Sequence, residues 1–442
     1  MPELLISYYG DDLTGSTDVM EALELGGVPT VLFTALPDEA LLRRFAHCRA
    51  IGLAGTSRSQ TPAWMDEHLA PAFTWLKSLG AALCHYKVCS TFDSSPGIGN
   101  IGRAIEIGRR VFAQASMPVL VGAPQLKRYT AFGNLFAGFR GETFRIDRHP
   151  VMSRHPVTPM HEADLLRHLS AQTALRGGLV DIAQLAMPSR SGIVDRVCAD
   201  TEMFLLDVDS AETQRLAGAE IWRLREACRF VAGSSGVEYA LLAAWQAAGI
   251  APARQGSFSA GAADRIAVVS GSVSPTTERQ IRHAIANGFT GVPLDPVALI
   301  SESAEKAAAD ALADGNETLA QGRSVILYTA LGTSADRGAE IDRQPGARHE
   351  LARMLGRILK GLVSANGLGR AVIVGGDTSS HALGELGIEA LTIRMPLAQS
   401  PGSPLCVAHS REPAVHGLEI ALKGGQIGTD GYFSCIRAGK NE

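Results

Sequence analysis

The sequence of 442 residues lacks the features that mark several large classes of protein. It has no apolar run approaching the roughly 18 residues that a membrane-spanning helix needs, so we expect no membrane partner. It also has no basic block, and 41 basic against 45 acidic residues give a formal charge of −4. This balance argues against a nucleic-acid-binding protein, because such proteins present clustered positive charge. The first residues carry no basic and apolar segment typical of an export signal, so we expect a soluble, cytoplasmic protein.

Several motifs of common enzyme classes are missing as well. The seven cysteines are an odd number without a C-x-x-C pair, and we interpret them as small, reduced core residues rather than metal ligands. The absence of G-x-x-x-x-G-K-[ST], G-x-S-x-G and the protein-kinase motifs excludes a P-loop enzyme, an α/β-hydrolase and a protein kinase. Residues 97–102 spell G-x-G-x-x-G, but the acidic residue that binds ribose does not follow. A nicotinamide-dependent dehydrogenase is kept as an alternative.

The sequence does contain 47 glycines and a repeated alternation of short apolar strands with amphipathic helices. This pattern predicts an α/β protein with mainly parallel sheets. A small and polar stretch at 251–264 is the best candidate linker, so we predict domains over 1–250 and 265–442. Residues 129–160 are rich in glycine, histidine and proline and are predicted to be a loop.

In the first half, polar residues follow two predicted strands, at the sheet edge where parallel sheets bind ligands. Asp11 and Asp12 come directly after the first strand. They could orient or deprotonate a substrate hydroxyl, although one of them could serve only as a helix cap. Lys87 ends an otherwise apolar strand and is followed by Ser90 and Thr91. A lysine there predicts a nearby anion, with a side chain that reaches past the sheet edge to solvent as the alternative.

In the second half, three strand ends are rich in glycine and hydroxyl residues, at 270–277, 375–380 and 423–428. Each could be ordinary helix capping. Together they predict a phosphate-binding cradle of backbone amides at helix N-termini, for a nucleotide or a sugar phosphate.

Four histidines lie close together in the sequence, at His149, His155, His161 and His168. Their spacing fits no zinc pattern, so we predict no metal site and interpret them as polar surface residues of a proline-rich loop. Arg148 or Arg154 in the same loop could reach an anionic ligand.

Motifs in both halves resemble those of the four-carbon acid sugar kinases, formerly the domain-of-unknown-function family 1537. They occur in the family's order, at residues 11–18, 87–94, 99–102, 155–160, 270–274, 375–379 and 422–428. The resemblance implies an ATP-dependent kinase that phosphorylates the terminal hydroxyl of a small acid sugar. It further implies a sugar-binding N-terminal domain, a nucleotide-binding C-terminal domain and an active site in the cleft between them.

The segment Lys87–Ser94 resembles the 3-oxo-tetronate kinase branch, which implies a 4-phosphate product. It departs from the Lys-x-Asp-Ser-Thr-Leu-Arg-Gly-Asn pattern of threonate and erythronate kinases. The alternatives are therefore kinases for 3-oxo-isoapionate, threonate or erythronate. A non-catalytic sugar-acid-binding protein is an alternative of another class.

The resemblance implies which residues contact the nucleotide, and the requirements of phosphoryl transfer predict the other roles. Asp12 is expected to be the base that accepts the hydroxyl proton, with Asp11 as the alternate. The expected substrate-binding residues are Lys87, Ser90, Thr91, Asp93 and Arg154, of which Lys87, Ser90 and Thr91 would hold the substrate carboxylate. The expected nucleotide-binding residues are Ser272, Gly375, Gly376, Asp377, Thr378, Ser379 and Gly425. ATP and Mg²⁺ are expected, with Asp377 reaching Mg²⁺ through water. The expected partners are the acid sugar and ATP, and a homo-oligomer is left open.

Overall fold

The computed structural model describes residues 3–252, 258–397, 400 and 402–440. The chain divides into two compact units, unit 1 (Met1–Val31 and Asp38–Arg254) and unit 2 (Leu32–Pro37 and Gln255–Glu442). Each unit is an α/β fold built on a mainly parallel sheet, so the predicted fold class is confirmed. No helix among the described residues is both long and apolar enough to cross a membrane.

The strands of the first half are β1 (Ile6–Gly10), β2 (Thr30–Phe33), β3 (Ala50–Ala54), β4 (Leu83–Lys87), β5 (Pro118–Leu120), β6 (Arg128–Ala131), β7 (Asn134–Phe139), β8 (Glu142–Arg145), β9 (Gly177–Val180), β10 (Met203–Leu206) and β11 (Phe230–Gly233). The helices are α1 (Leu13–Leu25), α2 (Glu39–Arg44), α3 (Pro62–Ser78), α4 (Ile101–Phe112), α5 (Leu165–Ser170), α6 (Ile182–Ala186), α7 (Arg190–Asp200), α8 (Ala211–Arg223) and α9 (Gly236–Ala247). The main sheet of unit 1 has the parallel order β3-β1-β4-β11-β5-β10-β9.

The prediction of a loop over 129–160 was wrong for its first half. Strands β6, β7 and β8 form a separate antiparallel sheet there. Two tight turns connect them, at Phe132-Gly133 and Arg140-Gly141, and all four turn residues have positive φ. Residues with positive φ, especially glycine, are typical of two-residue hairpin turns. The glycines that suggested a loop therefore lie in hairpin turns between strands of four to six residues.

An aromatic cluster fills the core of unit 1. The ring of Phe73 on α3 contacts Tyr86 on β4 and Phe230 on β11, at centroid distances of 5.7 and 4.9 Å. A Cβ at Gly108 on α4 would lie 1.9 Å from the Phe230 ring, so only glycine lets this helix approach the sheet. This packing fixes β1 and β4, whose carboxyl ends carry the predicted acidic and lysine residues.

The strands of the second half are β12 (Ala267–Ser270), β13 (Phe289–Pro293), β14 (Ser324–Tyr328), β15 (Arg370–Val374), β16 (Ile388–Met395), β17 (Leu405–Ser410) and β18 (Glu419–Lys423). The helices are α10 (Pro275–Ala286), α11 (Ala304–Ala320), α12 (Gly338–Ile341), α13 (Ala347–Asn366), α14 (Gly376–Leu386) and α15 (Tyr432–Ala438). The sheet of unit 2 has the order β13-β14-β12-β15-β18-β17-β16. Its strands are parallel up to β18, whereas β17 and β16 are antiparallel.

The predicted linker at 251–264 is described in part, because residues 253–257 lie outside the described residues. Phe258, Ala260 and Ala263 pack against the hydrophobic core of unit 2. The Ala263 amide donates to the Arg437 carbonyl at 2.8 Å, and Arg370 donates to the Gly261 carbonyl at 3.0 Å. Residues 258–263 are therefore held by packing and hydrogen bonds to unit 2.

Candidate active site

The charged groups of unit 1 gather at the carboxyl ends of three neighbouring strands, β3, β1 and β4. The register aligns Gly10 with Ala54 on one side and with Lys87 on the other, so the residues that follow these strands emerge together. The Asp11 amide donates to the Lys87 carbonyl at 2.9 Å, which continues the β1–β4 pairing past the end of the strand. The predicted acidic residues and Lys87 therefore lie at one edge of the sheet.

Asp12 has two engaged carboxylate oxygens. It caps α1, because Oδ1 accepts from the Gly15 amide at 2.5 Å. Oδ2 accepts from Nη1 of Arg58 at 2.9 Å, and both side chains are 31% exposed. Capping alone would leave Oδ2 to solvent, so the structure gives Asp12 a second partner in the strand-end cluster.

Arg58 connects Asp12 to Asp93. Its Nη2 donates to both Asp93 oxygens at 3.1 Å, and the hydroxyls of Thr91 and Thr158 donate to the same carboxylate at 2.5 and 2.8 Å. Burial alone would raise the pKa of Asp93, but Arg58 and the two hydroxyls outweigh burial and lower it. Asp93 is thus held as a carboxylate.

Asp11 is in the opposite situation. Its Oδ1 is buried and has no hydrogen-bond partner among the described residues. Burial, followed by the nearby charge of Asp12, raises the pKa of Asp11 from 3.8 to about 7, although Arg58 and Lys87 act against this rise. Two carboxylates in adjacent positions thus differ in environment, which is the arrangement that separates acid and base roles in many enzymes.

Lys87 is buried, and its Nζ lies 3.9 Å from Oδ2 of Asp18 on α1. Burial would lower the pKa of Lys87, but the carboxylates of Asp18, Asp11 and Asp12 outweigh it and raise the pKa. A Cβ at Gly15 would lie 2.8 Å from this Nζ and 2.6 Å from Oδ1 of Asp12. Glycine at position 15 therefore leaves these two charged side-chain ends room beside α1.

The remaining residues predicted for unit 1 are distributed differently. Ser90 is half-buried in the turn after β4. Arg154 is exposed at the end of a short 3₁₀ helix, and the contact from this segment to Asp93 is made by Thr158 instead. Nδ1 of His155 accepts from the Thr158 amide at 3.1 Å.

The interpretation of the four histidines as surface residues was wrong for two of them. His149 is buried, and its Nδ1 accepts from the amides of Val151 and Met152. His168 lies 2.8 Å from the Ser94 hydroxyl, and burial lowers its pKa. His161 is exposed. The described residues contain no cluster of three or more histidine, cysteine or acidic side chains that could hold a metal ion.

Arg58 was missing from the residues predicted from the sequence. It follows β3 and lies in a 3₁₀ turn at Ser57–Ser59. The rule that pointed to Asp11 and Lys87, a polar side chain at the carboxyl end of a buried strand, extends to Arg58, which lies four residues past the end of β3. The local sequence does not show that β3 lies beside β1, and this adjacency brings Arg58 to Asp12.

Unit 2 contains a cavity of about 320 Å³ at the carboxyl ends of the adjacent strands β14, β12, β15 and β18. It is lined by Gly271, Ser272, Val273, Ser274, Pro296, Thr329, Ala330, Asp336, Arg337, Gly338, Ile341, Arg348, Leu351, Ala352, Gly375, Gly376, Thr378, Gly425 and Gln426. The three glycine-rich and hydroxyl-rich segments predicted as a phosphate cradle thus contribute to one cavity. The wall formed by 336–352 was not predicted, and no strand-end motif marks it.

The cradle is tight enough to require glycine. A Cβ at Gly425 would lie 2.7 Å from the Ser272 hydroxyl, and one at Gly375, where φ is +119°, would lie 2.9 Å from the Thr378 hydroxyl. The Thr277 hydroxyl donates to the Gly425 carbonyl at 3.0 Å and ties this loop to α10. The backbone around the cavity is therefore held close together, with its surface free of side chains at these glycines.

The predicted turn at 375–379 is in fact the start of a helix, because α14 begins at Gly376. Its first amides are consequently available to an anion, since the first four N–H groups of a helix have no partner within the helix. The Ser379 hydroxyl donates to the Gly375 carbonyl at 2.7 Å, so it is directed to the backbone. The side chain of Asp377 lies outside the described residues.

The two halves of the chain match the models of two protein domains. Residues 6–241 match a sugar-binding N-terminal domain, and residues 267–433 match a nucleotide-binding C-terminal domain. The chain belongs to the four-carbon acid sugar kinase family. The resemblance of the motifs to this family and the prediction of a carbohydrate kinase are therefore confirmed.

Named relatives within the family match almost the whole chain. The 3-oxo-isoapionate kinase of Paraburkholderia graminis is 45% identical over 99% of this chain and 95% of its own length. The 3-oxo-tetronate kinase of Cupriavidus necator is 30% identical over 97% of this chain and 95% of its own length.

Crystal structures of two bacterial proteins share the fold. One, from Salmonella typhimurium LT2, has a TM-score of 0.77 at 24% identity, and each chain covers 98% of the other. The other, a Haemophilus influenzae protein of the former domain-of-unknown-function family 1537, has a TM-score of 0.72 at 23% identity, with 98% of this chain and 99% of that chain covered.

Proposed function

We propose that this member of the family transfers the γ-phosphoryl group of ATP to the terminal hydroxyl of a small 3-oxo acid sugar, with the 4-phosphate as the product for a four-carbon substrate. The observation that carries the proposal is the Asp12–Arg58–Asp93 chain of charge-assisted hydrogen bonds at the strand ends of a sugar-binding domain. Phosphoryl transfer depends on positioning and on charge stabilisation rather than on covalent chemistry, and such a chain supplies both.

In this proposal, Asp12 orients the acceptor hydroxyl and accepts its proton. Its carboxylate is partly exposed, whereas Arg58 and the Gly15 amide fix its orientation. Asp11 is the alternate base, because its pKa of about 7 lies near a working pH. The proposed substrate-binding residues remain Lys87, Ser90, Thr91, Asp93 and Arg154.

The nucleotide occupies the cavity of unit 2 in this proposal. The phosphates would lie against Ser272, Gly425 and the amides that begin α14, and the apolar wall at Ile341, Leu351 and Ala352 suits a base. Mg²⁺ would arrive with ATP and neutralise the phosphate charge, with Asp377 in its water shell. Dependence on ATP is also consistent with a cytoplasmic enzyme.

Two acid sugars are the leading substrates. The relative at 45% identity acts, by its name, on 3-oxo-isoapionate, and those near 30% act on 3-oxo-tetronate. The higher identity favours the branched acid, which the motifs had suggested only as an alternative.

A coupled assay of ADP release tests the proposal. The purified protein would be given MgATP with 3-oxo-isoapionate, 3-oxo-tetronate, threonate and erythronate in turn. We expect ADP release with a 3-oxo acid at a kcat/KM at least tenfold above threonate or erythronate. Product analysis by mass spectrometry should show one added phosphoryl group. The absence of ADP above the ATP-only background with all four acids would refute the kinase activity.

A further inference from the structure

The loop that follows β18 borders the cavity of unit 2, and its residues Gly425 and Gln426 line that cavity. The backbone amides of these two residues are consecutive, and neither donates a hydrogen bond to another described residue. A backbone N–H group without a protein acceptor needs water or a ligand as its partner. The two amides are therefore available to an anion that enters the cavity.

Two buried side chains hold the carbonyls of the same peptide units. Nζ of Lys423 donates to the Gly424 carbonyl at 2.8 Å, and the Thr277 hydroxyl donates to the Gly425 carbonyl at 3.0 Å. Both peptide units are trans, and in a planar trans unit the C=O and N–H groups point in opposite directions. Lys423 therefore turns the Gly425 amide away from itself, and Thr277 does the same for the amide of Gln426.

The charge of Lys423 has no counter-ion in the protein. The side chain is fully buried at the end of β18, and no carboxylate of the described residues lies within 4.0 Å of its Nζ. The titratable group that faces it is Tyr432 on α15, whose ring centroid is 5.8 Å from Nζ. Burial alone lowers the pKa of Lys423 from 10.5 to about 7.

This environment is unfavourable for a lysine that only fills the core. An apolar side chain of similar length would occupy the same space without the free-energy cost of burying an amine. A phosphate bound at the Gly425 amide would lie about one peptide unit from Nζ and would supply the missing negative charge. The surroundings of Lys423 therefore favour a role in the nucleotide-bound state.

We propose that Lys423 is a positioning residue of the nucleotide site, which holds the Gly424–Gly425 peptide from the core so that the amides of Gly425 and Gln426 bind a phosphate, and which places a positive charge beneath that phosphate. The inference rests on the proposed function and deepens it. The negative charge of the phosphate favours the protonated amine. Binding of MgATP above about pH 7 should therefore add a proton to Lys423.

Calorimetry in buffers of different ionisation enthalpy measures this proton. At pH 8, where the free amine is mostly neutral, we expect the wild type to take up about 0.5 proton or more per MgATP beyond the uptake by Lys423→Met. At pH 6 the amine is protonated before the nucleotide binds, so the difference should nearly vanish. Equal uptake in the two proteins at pH 8 would overturn the proposal. Thermal unfolding checks the fold of the variant, and should it not fold, the absence of proton uptake by the wild type at pH 8 is enough to overturn the proposal.

Affinities of matched variants separate charge from orientation. Lys423→Met should raise the Kd for MgATP roughly 10- to 50-fold and that for adenosine, which has no phosphate, less than threefold. Thr277→Val should raise the Kd for MgATP about three- to fivefold without changing the proton uptake, because it frees the second peptide and removes no charge. Lys306→Met, which alters an exposed lysine of α11, should behave as wild type. Equal losses for MgATP and adenosine in Lys423→Met would show a general structural defect and overturn the proposal.

The failure of this inference differs from the failure of the proposed function. Binding of MgATP with the expected proton uptake, but without ADP release from any acid, would refute the kinase activity and leave the assignment of Lys423 in place. ADP release by the wild type with no difference in proton uptake or MgATP affinity from Lys423→Met would leave the kinase activity in place and overturn the role of Lys423.

Discussion

The two candidate ligand sites of this chain are built from different chemical groups. In unit 1, the strand ends carry charged side chains, and Arg58 connects the carboxylates of Asp12 and Asp93. In unit 2, the cradle at the strand ends is made of glycines and hydroxyl residues, and it presents backbone amides at the start of α14. In the proposed roles, the first site recognises the charge and hydroxyl pattern of a small acid, whereas the second accepts a polyphosphate that fits between closely spaced backbones.

This difference sets how each site responds to change. Side-chain charges interact with each other, so burial and neighbours raise the pKa of Asp11 and lower that of Asp93 within one cluster. The backbone groups of the cradle in unit 2 do not titrate, so pH does not change their charge. Added side-chain atoms would instead block the cradle. We therefore expect the unit 1 site to be sensitive to loss of charge and the unit 2 site to be sensitive to added side-chain atoms.

The largest effect is expected from Asp12→Asn. Loss of the proposed base should lower kcat about 10³-fold, because a positioned acid or base contributes about 10² to 10⁴. Stability should change little, since asparagine also caps helices well. Asp38→Asn is the matched control, because Asp38 caps α2 by accepting from the Leu41 amide at 2.8 Å. If Asp12→Asn turned over within tenfold of wild type, the negative charge at position 12 would not be a contribution of unit 1 to catalysis.

The second prediction concerns pH and stability at Asp11. The pKa is 3.8 for the unperturbed group and about 7 in the folded protein, so between these values the folded state holds a proton that the unfolded state has lost. The free energy of unfolding should consequently fall as pH rises from about 4 to 7, by up to ~4 kcal/mol from this group. Asp11→Asn lacks this loss and should be more stable than wild type at pH 8, by an amount that shrinks toward pH 4.

Denaturant unfolding at pH 5 and pH 8 measures the effect, with Asp93→Asn as the opposite case. The pKa of Asp93 is lowered in the folded state, so its carboxylate stabilises the protein above its unfolded pKa and Asp93→Asn should be less stable at pH 8. The same sign for both variants would mean that the two carboxylates do not occupy the contrasting environments described for unit 1.

Much of this contrast could be predicted from the sequence, and the missing part has a physical reason. Asp11 and Gly375 follow short strands and Lys87 ends one, and the carboxyl end of a parallel strand is a local feature that the sequence carries. Arg58 was missed because its importance depends on which strands lie side by side. Strand order is set by packing between segments distant in sequence, and no local pattern records it.

The small sheet β6–β8 shows a second reason why part of the fold was not predicted from the sequence. Its strands have four to six residues, and its turns at Phe132-Gly133 and Arg140-Gly141 carry the hairpin signal in glycine alone. Prolines and histidines farther along, at 149–159, favoured a loop for the whole stretch. Turn glycines should therefore be judged together with the residues immediately beside them.

The third prediction tests the unit 2 site by added volume. Gly376→Ala places a methyl group at a lining position where a Cβ meets no protein atom within 4 Å, so the fold should tolerate it. A phosphate close to this backbone would not, and we expect the Kd for MgATP to rise about 10- to 100-fold. Gly384→Ala is the matched control, because it lies in the same helix with equal space and does not line the cavity. Calorimetry that gave equal ATP affinity for both variants would remove α14 from the nucleotide site.

The smallest effect is expected from Ser272→Ala. A small effect is expected because the unit 2 site is proposed to bind mainly through its backbone. The Ser272 hydroxyl accepts from the Ser274 amide at 3.3 Å and lies 3.1 Å from the Thr277 hydroxyl, so it helps to shape the loop before α10. Its removal costs about one hydrogen bond of ~1 kcal/mol, and the Kd for MgATP should rise about three- to fivefold. Ser324→Ala is the control, because the Ser324 hydroxyl accepts from the Ile266 amide at the amino end of β14, away from the cavity, and its loss should lower the Tm without changing ATP affinity. A loss of ATP affinity in Ser272→Ala as large as that in Gly376→Ala would mean that unit 2 also binds through a side chain, and the two sites would then differ in charge alone.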